Sequence, residues 1–457
     1  MQMRLCALIL VAAASLGLSG CAGSLQSRLP LKWTIGFWYW HGNSAEAAAA
    51  KETPDALFFH AGTISKYMRL NAPEQWIVSR NLPGSLPVAR EYWLVFRNEE
   101  PGVPDASAAP VLADRVFQLL RDARQRRLNV VGIQLDIDSP TSRLSRYADF
   151  LRVVRSELPA GTEISITALL DWFRDGTSIA DLIKQTDEFV PQFYDVAAAG
   201  SSNDYRTIAA KIDAARWAPK LNRFGKRYRI GISTFGRARL VPKPDSSQKE
   251  YSGLRLFGDL TPIDIAGNPA FDLQTSHTEA NELVLSYRAT SKVQIGYNDF
   301  QPGDMVQFIL STPESIRAAV DSARRMRGNC VGIVFFRWPE SNENIVMQPD
   351  EALMAAGLAP QEEKVVGVEQ VDGHCAAVNC VDLYLLNASA LSSKSARYRI
   401  RSSADLEYFL PQERVRVRMA GPSDLDLELP AYAGLNRMLL GRAVSATRVE
   451  FRIEQEQ

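Results

Sequence analysis

The stretch VVGIQLDIDSP, residues 130–140, alternates apolar and polar residues before it ends at a proline. Its isoleucine and leucine residues form one face of a predicted strand, and Gln134, Asp136 and Asp138 form the other face. In a parallel β/α barrel the apolar face packs against helices, so the polar face points into the barrel. The two carboxylates then lie at the C-terminal mouth, where barrel enzymes carry their sites.

Eight segments of the chain have the length and composition of short buried strands. Several of them alternate with amphipathic helical runs, and the units between the first three are poorly helical. Strands that alternate with helices indicate a parallel sheet, and eight of them predict a (β/α)8 TIM barrel of the α/β class. The predicted strands are residues 33–40, 56–62, 91–97, 130–138, 163–169, 188–196, 228–236 and 330–338.

The predicted barrel covers residues 32–355, with further segments inside it and after it. Residues 241–311 are too long for a simple crossover after the seventh strand and predict an inserted α+β subdomain. Residues 356–372 are expected to be a linker. Residues 373–457 show strand-like runs at short intervals without helical runs, which predicts a C-terminal β-sandwich-like domain.

The first residues predict the location of the protein. Residues 1–20 combine Arg4, a short apolar run and small residues, which is typical of a signal peptide. The sequence Leu-Ser-Gly-Cys resembles a bacterial lipobox, with Cys21 as the lipidated residue and residues 21–31 as a tether. Ala22 after the cysteine then implies the outer membrane, with the protein lipid-anchored in the cell envelope. A plain secreted protein cleaved nearby is the alternative.

Charge and cysteine content narrow the classes of partner. Lysine plus arginine and aspartate plus glutamate are both 52, which speaks against nucleic acid as a partner and leaves the lipid anchor as the expected membrane contact. Cys375 and Cys380 are expected to form a disulfide in an oxidising compartment. A zinc site with His374 would lack a fourth ligand. Cys330 lies in an apolar strand and is predicted to be a buried apolar residue. We predict no metal or cofactor.

The spacing of Asp136 and Asp138 predicts acid–base chemistry. Two residues apart on one strand face, their positions are separated by about 6.6 Å. Like charges this close in a partly dry site raise the pKa of one partner. The result is a proton donor beside an ionised neighbour, which general acid catalysis requires.

The same stretch resembles the fourth-strand signature D-G-x-D-x-D-x-E of family 18 glycoside hydrolases, the chitinase-type enzymes. Gly132 matches the glycine and Asp136 the last aspartate. Asp138 stands at the position of the catalytic glutamate, one methylene shorter, and Gln134 replaces the middle aspartate. In that family the glutamate protonates the glycosidic oxygen while the acetamido group of the substrate attacks, held by the neighbouring aspartate and a tyrosine.

Further motifs resemble the family in the same order along the chain. PQFYDV, residues 191–196, resembles the sixth-strand M-x-Y-D motif, with Tyr194 and Asp195 matching and Gln192 replacing the methionine. GISTFGRA, residues 231–238, resembles the seventh-strand motif that ends in an arginine, here Arg237.

Two aromatic motifs complete the resemblance to the family. The eighth strand ends in Trp338, at the position of the tryptophan that forms the floor of the sugar site, and Tyr39 lies in an aromatic first strand. The QLDID and SITAL patterns also resemble the bacterial domain-of-unknown-function family 3142, which implies no activity.

The resemblance implies a glycoside hydrolase acting on a polysaccharide or oligosaccharide, with Asp138 as general acid and Asp136 modulating its pKa. Tyr194 and Asp195 would orient the substrate. Trp172 follows the fifth predicted strand, where a barrel loop begins, and is expected to line the cleft. The expected substrate-binding residues are Gln134, Gln192, Trp338, Arg237, Trp172 and Tyr39.

Several of these residues have a structural alternative. Asp138 could cap the helix after Pro140, Tyr194 and Asp195 could be a structural pair, and the tryptophans could be core residues. Arg97, at the end of the third predicted strand, could contact an anionic group or be a solvated surface residue.

The function has alternatives as well. A barrel that keeps the aromatic cleft without efficient chemistry would be a carbohydrate-binding protein of the envelope. A scaffold without a saccharide ligand is the third hypothesis.

Overall fold

The computed structural model describes residues 33–40, 47–67, 74–194, 209–241, 255–257, 260–340, 343, 345–358, 366–373, 375, 379–387, 396–412, 415–429 and 436–455. The predicted signal peptide, the tether with Cys21, and Asp195 and His374 lie outside these residues. Among the helices that are described, none is long and apolar enough to cross a membrane.

The described strands, in chain order, are β1 (Thr34–Tyr39), β2 (Ala56–Tyr67), β3 (Gln75–Val78), β4 (Glu91–Asn98), β5 (Val130–Asp136), β6 (Glu163–Ala168), β7 (Glu188–Pro191), β8 (Arg227–Ser233), β9 (Arg237–Val241), β10 (Arg255–Phe257), β11 (Phe271–His277), β12 (Leu283–Ala289), β13 (Val293–Ile295), β14 (Asn298–Phe300), β15 (Met305–Leu310), β16 (Cys330–Phe336), β17 (Gly367–Asp372), β18 (Asn379–Asn387), β19 (Ala396–Ser402), β20 (Tyr408–Pro411), β21 (Arg416–Met419), β22 (Asp424–Leu429), β23 (Asn436–Ser445) and β24 (Phe451–Gln455). The α-helices are α1 (Ala108–Gln125), α2 (Leu144–Glu157), α3 (Ile179–Lys184), α4 (Ala214–Asn222), α5 (Pro262–Ile265), α6 (Pro313–Arg325) and α7 (Pro349–Ala355).

Eight parallel strands form a closed barrel, as the sequence predicts. Their order is β1-β16-β8-β7-β6-β5-β4-β2, and pairing of β1 with β2 closes the ring. Helices α1, α2, α3, α4 and α6 precede or follow the strands from β4 to β16 on the outside. Between β2 and β4 the described chain instead forms β3, which pairs antiparallel with the end of β2. The poorly helical start of the barrel is thus seen in the structure.

The insertion between the seventh and eighth barrel strands forms its own antiparallel sheet. Its strand order is β10-β9-β15-β12-β11, with β13 and β14 as a separate hairpin. This sheet begins at Arg237, which pairs with Ile309, and so slightly before the predicted start at residue 241. The short helix α5 makes the subdomain α+β.

The C-terminal region forms two four-stranded antiparallel sheets, β17-β18-β23-β20 and β21-β22-β19-β24. Leucine-rich inner faces of both sheets share one apolar core. The predicted linker 356–372 is wrong at its end, because β17 pairs with β18 and the preceding Val366 is buried in that core. Cys375, between β17 and β18, forms a disulfide with Cys380, the second residue of β18.

The N-terminal end of the barrel interior holds a buried ion-pair cluster. Arg229 on β8 lies 2.8 Å from Glu91 and 3.3 Å from Glu188. Its Nε also donates to the Thr34 hydroxyl at 3.1 Å. Glu188 is fully buried, and burial raises the pKa of its carboxyl against the opposing charge of Arg229. The buried charge of Glu188 depends on Arg229 as its partner. At this end of the barrel the pair therefore serves the stability of the fold.

Replacing Arg229 with methionine should therefore destabilise the fold. We expect the free energy of unfolding in urea to fall by about 3–5 kcal/mol, because Glu188 is left as an unpaired buried charge. Arg90→Met is the control, since Arg90 is exposed and pairs with Asp55 at 2.8 Å, and its loss should cost less than about 1 kcal/mol. Adding Glu188→Gln to Arg229→Met should restore part of the loss. Equal urea midpoints for Arg229→Met and the wild type would contradict this account.

Candidate active site at the barrel mouth

Strand β5 brings the two predicted carboxylates to the C-terminal mouth of the barrel. Strand β6 approaches β5 closely at Gly132, where a larger residue does not fit, because a Cβ on Gly132 would lie 2.3 Å from the carbonyl oxygen of Glu163. Asp136 is the last residue of β5 and is partly buried. Asp138 follows just beyond the strand and is exposed. The alternation read from the sequence therefore places one carboxylate at the rim and the other below it.

Asp136 has the electrostatic signature of an acid that keeps its proton to a higher pH than an ordinary aspartate. Burial, together with the negative charge of Asp138, raises its pKa from 3.8 to about 6. A hydrogen bond of 2.8 Å from the Thr167 hydroxyl and the positive charge of Arg97 oppose this shift but do not cancel it. The crowding of like charges predicted from the sequence thus raises the pKa of Asp136.

The helical capping alternative for Asp138 is not what the structure shows. The helical turn Thr141–Arg143 starts after Pro140 as its N-cap, and no side chain caps it. Helix α2, which continues from this turn, has no side-chain cap either. Asp138 is instead an exposed carboxylate at the rim whose charge acts on Asp136.

Gln134 is a structural residue, and its predicted contact with substrate is wrong. Its side chain is 0% exposed in the barrel interior. The side-chain oxygen accepts from the indole N–H of Trp38 at 2.6 Å, and the amide nitrogen donates to the Ser165 hydroxyl at 3.1 Å. With both of its polar ends engaged below the mouth, Gln134 connects three barrel strands.

Tyr194 lies above this layer, where it contacts aromatic side chains of the barrel interior. Its ring stacks on Phe336 at 5.3 Å and meets Trp38 edge-on at 6.0 Å, leaving 7% of the residue exposed. Gln192 shares its face of the chain and is partly buried. Asp195 lies outside the described residues, so its expected role stays a prediction.

Trp338 and Tyr39 belong to the outer core of the barrel, so their expected substrate contacts are wrong. Trp338 is 2% exposed, donates its indole N–H to the Ala48 carbonyl at 2.9 Å and meets Phe37 edge-on at 5.0 Å. Tyr39 shares the outward face of β1 with Phe37 and is buried in the same core. Strand alternation places Phe37 and Tyr39 on the face of β1 that points away from the barrel interior.

Trp172 is also a core residue, against the prediction that it lines the cleft. It is fully buried and donates its indole N–H to the Ser139 carbonyl at 2.9 Å. Its ring meets Tyr147 of α2 edge-on at 6.2 Å. The hydrogen bond to Ser139 holds the loop after β5, which carries Asp138. Trp172 therefore positions this loop without contacting a ligand in the cleft.

The aromatic residues at the mouth are different from those predicted to bind sugar. Trp40 follows β1, is partly buried and stacks on the imidazole of His60 with 4.9 Å between ring centres. Its ring lies 6.2 Å from Phe336 at the end of β16. Arg237 lies beside this group, with its guanidinium 5.6 Å from the ring of Phe235.

Sequence reasoning missed Thr167, the hydrogen-bond partner of Asp136. The signal was present in EISITA, residues 163–168, where Glu163, Ser165 and Thr167 alternate with apolar residues. Ser165 is in register with Gln134, so Thr167 follows at the level of Asp136. Polar residues at matching positions of neighbouring strands predict a layer of contacts inside a barrel.

In the part of the chain that the structure describes, no group of three or more histidine, cysteine, aspartate or glutamate side chains could hold a metal ion.

Residues 102–258 match the family DUF3142, a domain of unknown function, as the sequence patterns predict. No curated protein matches the chain. Similar solved structures include the spore cortex-lytic enzyme SleL of Bacillus cereus, with 11% identity, a TM-score of 0.45, and 72% of this chain and 75% of that chain covered. Chitinase ChiA74 of Bacillus thuringiensis has 10% identity and a TM-score of 0.45 over 92% of this chain and 100% of that chain. A family GH18 chitinase of Chromobacterium violaceum has 10% identity and a TM-score of 0.43 over 93% and 91%.

Because ionised Asp136 is unfavourable in the folded state, the free energy of unfolding should depend on pH. Because its pKa is raised in the folded state, the wild type loses stability as pH rises from about 4 through about 6. Asp136→Asn keeps an oxygen for Thr167 and removes the charge, so we expect it to unfold at higher urea concentration than the wild type at pH 8. At pH 4 the difference should vanish.

The control for this comparison is Asp149→Asn, which changes an exposed carboxylate on α2. It should follow the wild type at every pH. An Asp136→Asn variant that is no more stable than the wild type at pH 8 would contradict the raised pKa.

Proposed function

We propose that the protein is a glycoside hydrolase of the cell envelope that cleaves a polysaccharide at the mouth of its barrel. The observation that carries this proposal is the raised pKa of Asp136 beside Asp138 at the C-terminal mouth. A paired acid with a pKa of about 6 can hold a proton at the pH where a glycosidic oxygen must receive one.

The two carboxylates act as one titrating unit that retains a proton. Asp138 is exposed and is the member that reaches a bound substrate, so we assign it the transfer of the proton to the glycosidic oxygen. Asp136 is the partly buried member that holds the proton of the pair, since it has the raised pKa, and passes it to Asp138. As the proton arrives, the bond between the anomeric carbon and this oxygen breaks, and the anomeric carbon gains positive charge. The pair, now without its proton, stabilises that charge until water adds to the anomeric carbon, and the proton that this water loses returns to the pair.

Aromatic side chains near the pair supply a surface for a sugar ring. The stacked rings of Trp40 and His60 are partly buried; Trp40 directly follows β1, and His60 lies within β2, next to Phe59, which pairs with Tyr39. Aromatic faces of this kind pack against the C–H groups of sugars, which leaves the hydroxyls for polar neighbours. Tyr194 packs below them through its contact with Phe336 and is the residue that borders the reacting sugar.

The N-terminal sequence supports the proposed location, that of a lipid-anchored protein of the cell envelope. Lipidation of Cys21 would keep the barrel at the membrane that faces its polysaccharide.

Removing the acid should remove the activity while the fold persists. With envelope polysaccharides and exopolysaccharides as substrates, including polymers with 2-acetamido sugars, Asp138→Asn should release oligosaccharides about 10²–10⁴ times more slowly than the wild type. Activity of the wild type should fall as pH rises through about 6, because Asp136 then loses the proton of the pair. The release of reducing ends measures both effects.

Asp149→Asn is the matched control, with the same change of charge on the outer helix α2, and should keep full activity. Binding of a polysaccharide without cleavage, unchanged in Asp138→Asn, would contradict the hydrolase and would support the carbohydrate-binding alternative.

A further inference from the structure

Arg97 occupies a position at the mouth that the acid–base chemistry does not explain. It lies near the end of β4, in register with Asp136 of β5 on one side and Thr63 of β2 on the other. Val95, two residues earlier, faces the barrel interior, and alternation gives Arg97 the same face one level higher. The residue is exposed, so its guanidinium lies at the open end of the barrel.

The guanidinium of Arg97 forms no ion pair or hydrogen bond with any residue that the structure describes. Arg337, near the end of the eighth barrel strand, differs in this respect, because Glu343 pairs with it through both carboxylate oxygens. Arg97 nevertheless lies close enough to Asp136 and to His60 for its charge to lower the pKa of each. Its planar set of N–H donors therefore borders the mouth, between the acid and the imidazole, with no carboxylate of the described residues within pairing distance.

The neighbours of Arg97 form a strip across four adjacent strands. His60 has a pKa lowered by burial and by the charge of Arg97, so the ring is neutral at pH 7 and stacks on Trp40. The order along the mouth is then an aromatic platform from β1 and β2, the cation from β4 and the acid pair from β5. A sugar ring on the platform would hold its substituents over Arg97 while its glycosidic oxygen lies towards the acid.

We propose that Arg97 binds the carboxylate of an acidic sugar in the substrate, next to the bond that is cleaved. The fork of a guanidinium matches a carboxylate with two parallel hydrogen bonds. The same cation offsets the repulsion that Asp136 and Asp138 exert on an acidic sugar. The substrate class is therefore a polysaccharide with uronic acids or sugars carrying a carboxylated ether. This inference rests on the proposed function, in which the mouth binds a glycan.

The test uses acidic polysaccharides and the same polymers after chemical reduction of their carboxylates to hydroxymethyl groups. The purified full-length chain, kept in detergent, is compared with Arg97→Gln and Arg97→Lys for binding and for release of reducing ends. Arg97→Gln should weaken binding of an acidic polymer roughly tenfold or more, with the loss in KM, and should leave the affinity and the KM for the reduced polymer unchanged. Arg97→Lys should retain part of the preference, since it keeps the charge without the fork.

Arg90→Gln is the matched control, because Arg90 immediately precedes the same strand at its other end and is exposed. It should bind both forms of the polymer like the wild type. A pure counter-ion role of Arg97 predicts a different result, in which Arg97→Gln shifts the pH profile equally for both polymers without a change in preference. That result would overturn the inference, as would equal affinity of the wild type for acidic and reduced polymers.

The outcomes separate this inference from the proposed function. Cleavage of acidic and reduced polymers at the same rate would support the proposed hydrolase activity and reject the carboxylate site. A preference for acidic polymers that depends on Arg97, without any cleavage, would support the site and reject the hydrolase.

Discussion

The alternation of side chains along a strand, enforced on every strand of a closed barrel, is the constraint on which the rest of the structure depends. It sends the apolar half of β5 to the outer core and leaves its polar half no position except the interior. The interior can accommodate Gln134 because Trp38 and Ser165 satisfy its polar ends. Asp136 emerges at the mouth, where a charge has access to water and to a ligand.

The two ends of the barrel interior hold different arrangements of charged side chains. At the N-terminal end Arg229 lies between Glu91 and Glu188, so opposite charges compensate each other in a buried position. At the mouth, burial and the like charge of Asp138 together raise the pKa of Asp136. The first arrangement serves the fold. The second costs stability above pH 6 and gives the protein an acid that it can use, which is the trade that functional sites commonly make.

The strands and the position of the carboxylates could be predicted from the sequence, because both depend on a period of two that a single chain displays. The roles of Trp172 and Trp338 could not. Each indole N–H is satisfied by a backbone carbonyl from a segment remote in sequence, and no local pattern reveals that partner. The error at Tyr39 was avoidable, since it shares its strand face with Phe37 and so points away from the interior.

The most direct test of this account is the titration of Asp136, followed through its carboxyl carbon by NMR in the wild type and in Asp138→Asn. The pKa should be about 6 in the wild type and lower in the variant, because one source of negative charge is gone. A pKa near 4 in the wild type, or one that Asp138→Asn leaves unchanged, would show that the two carboxylates do not share a proton at the mouth.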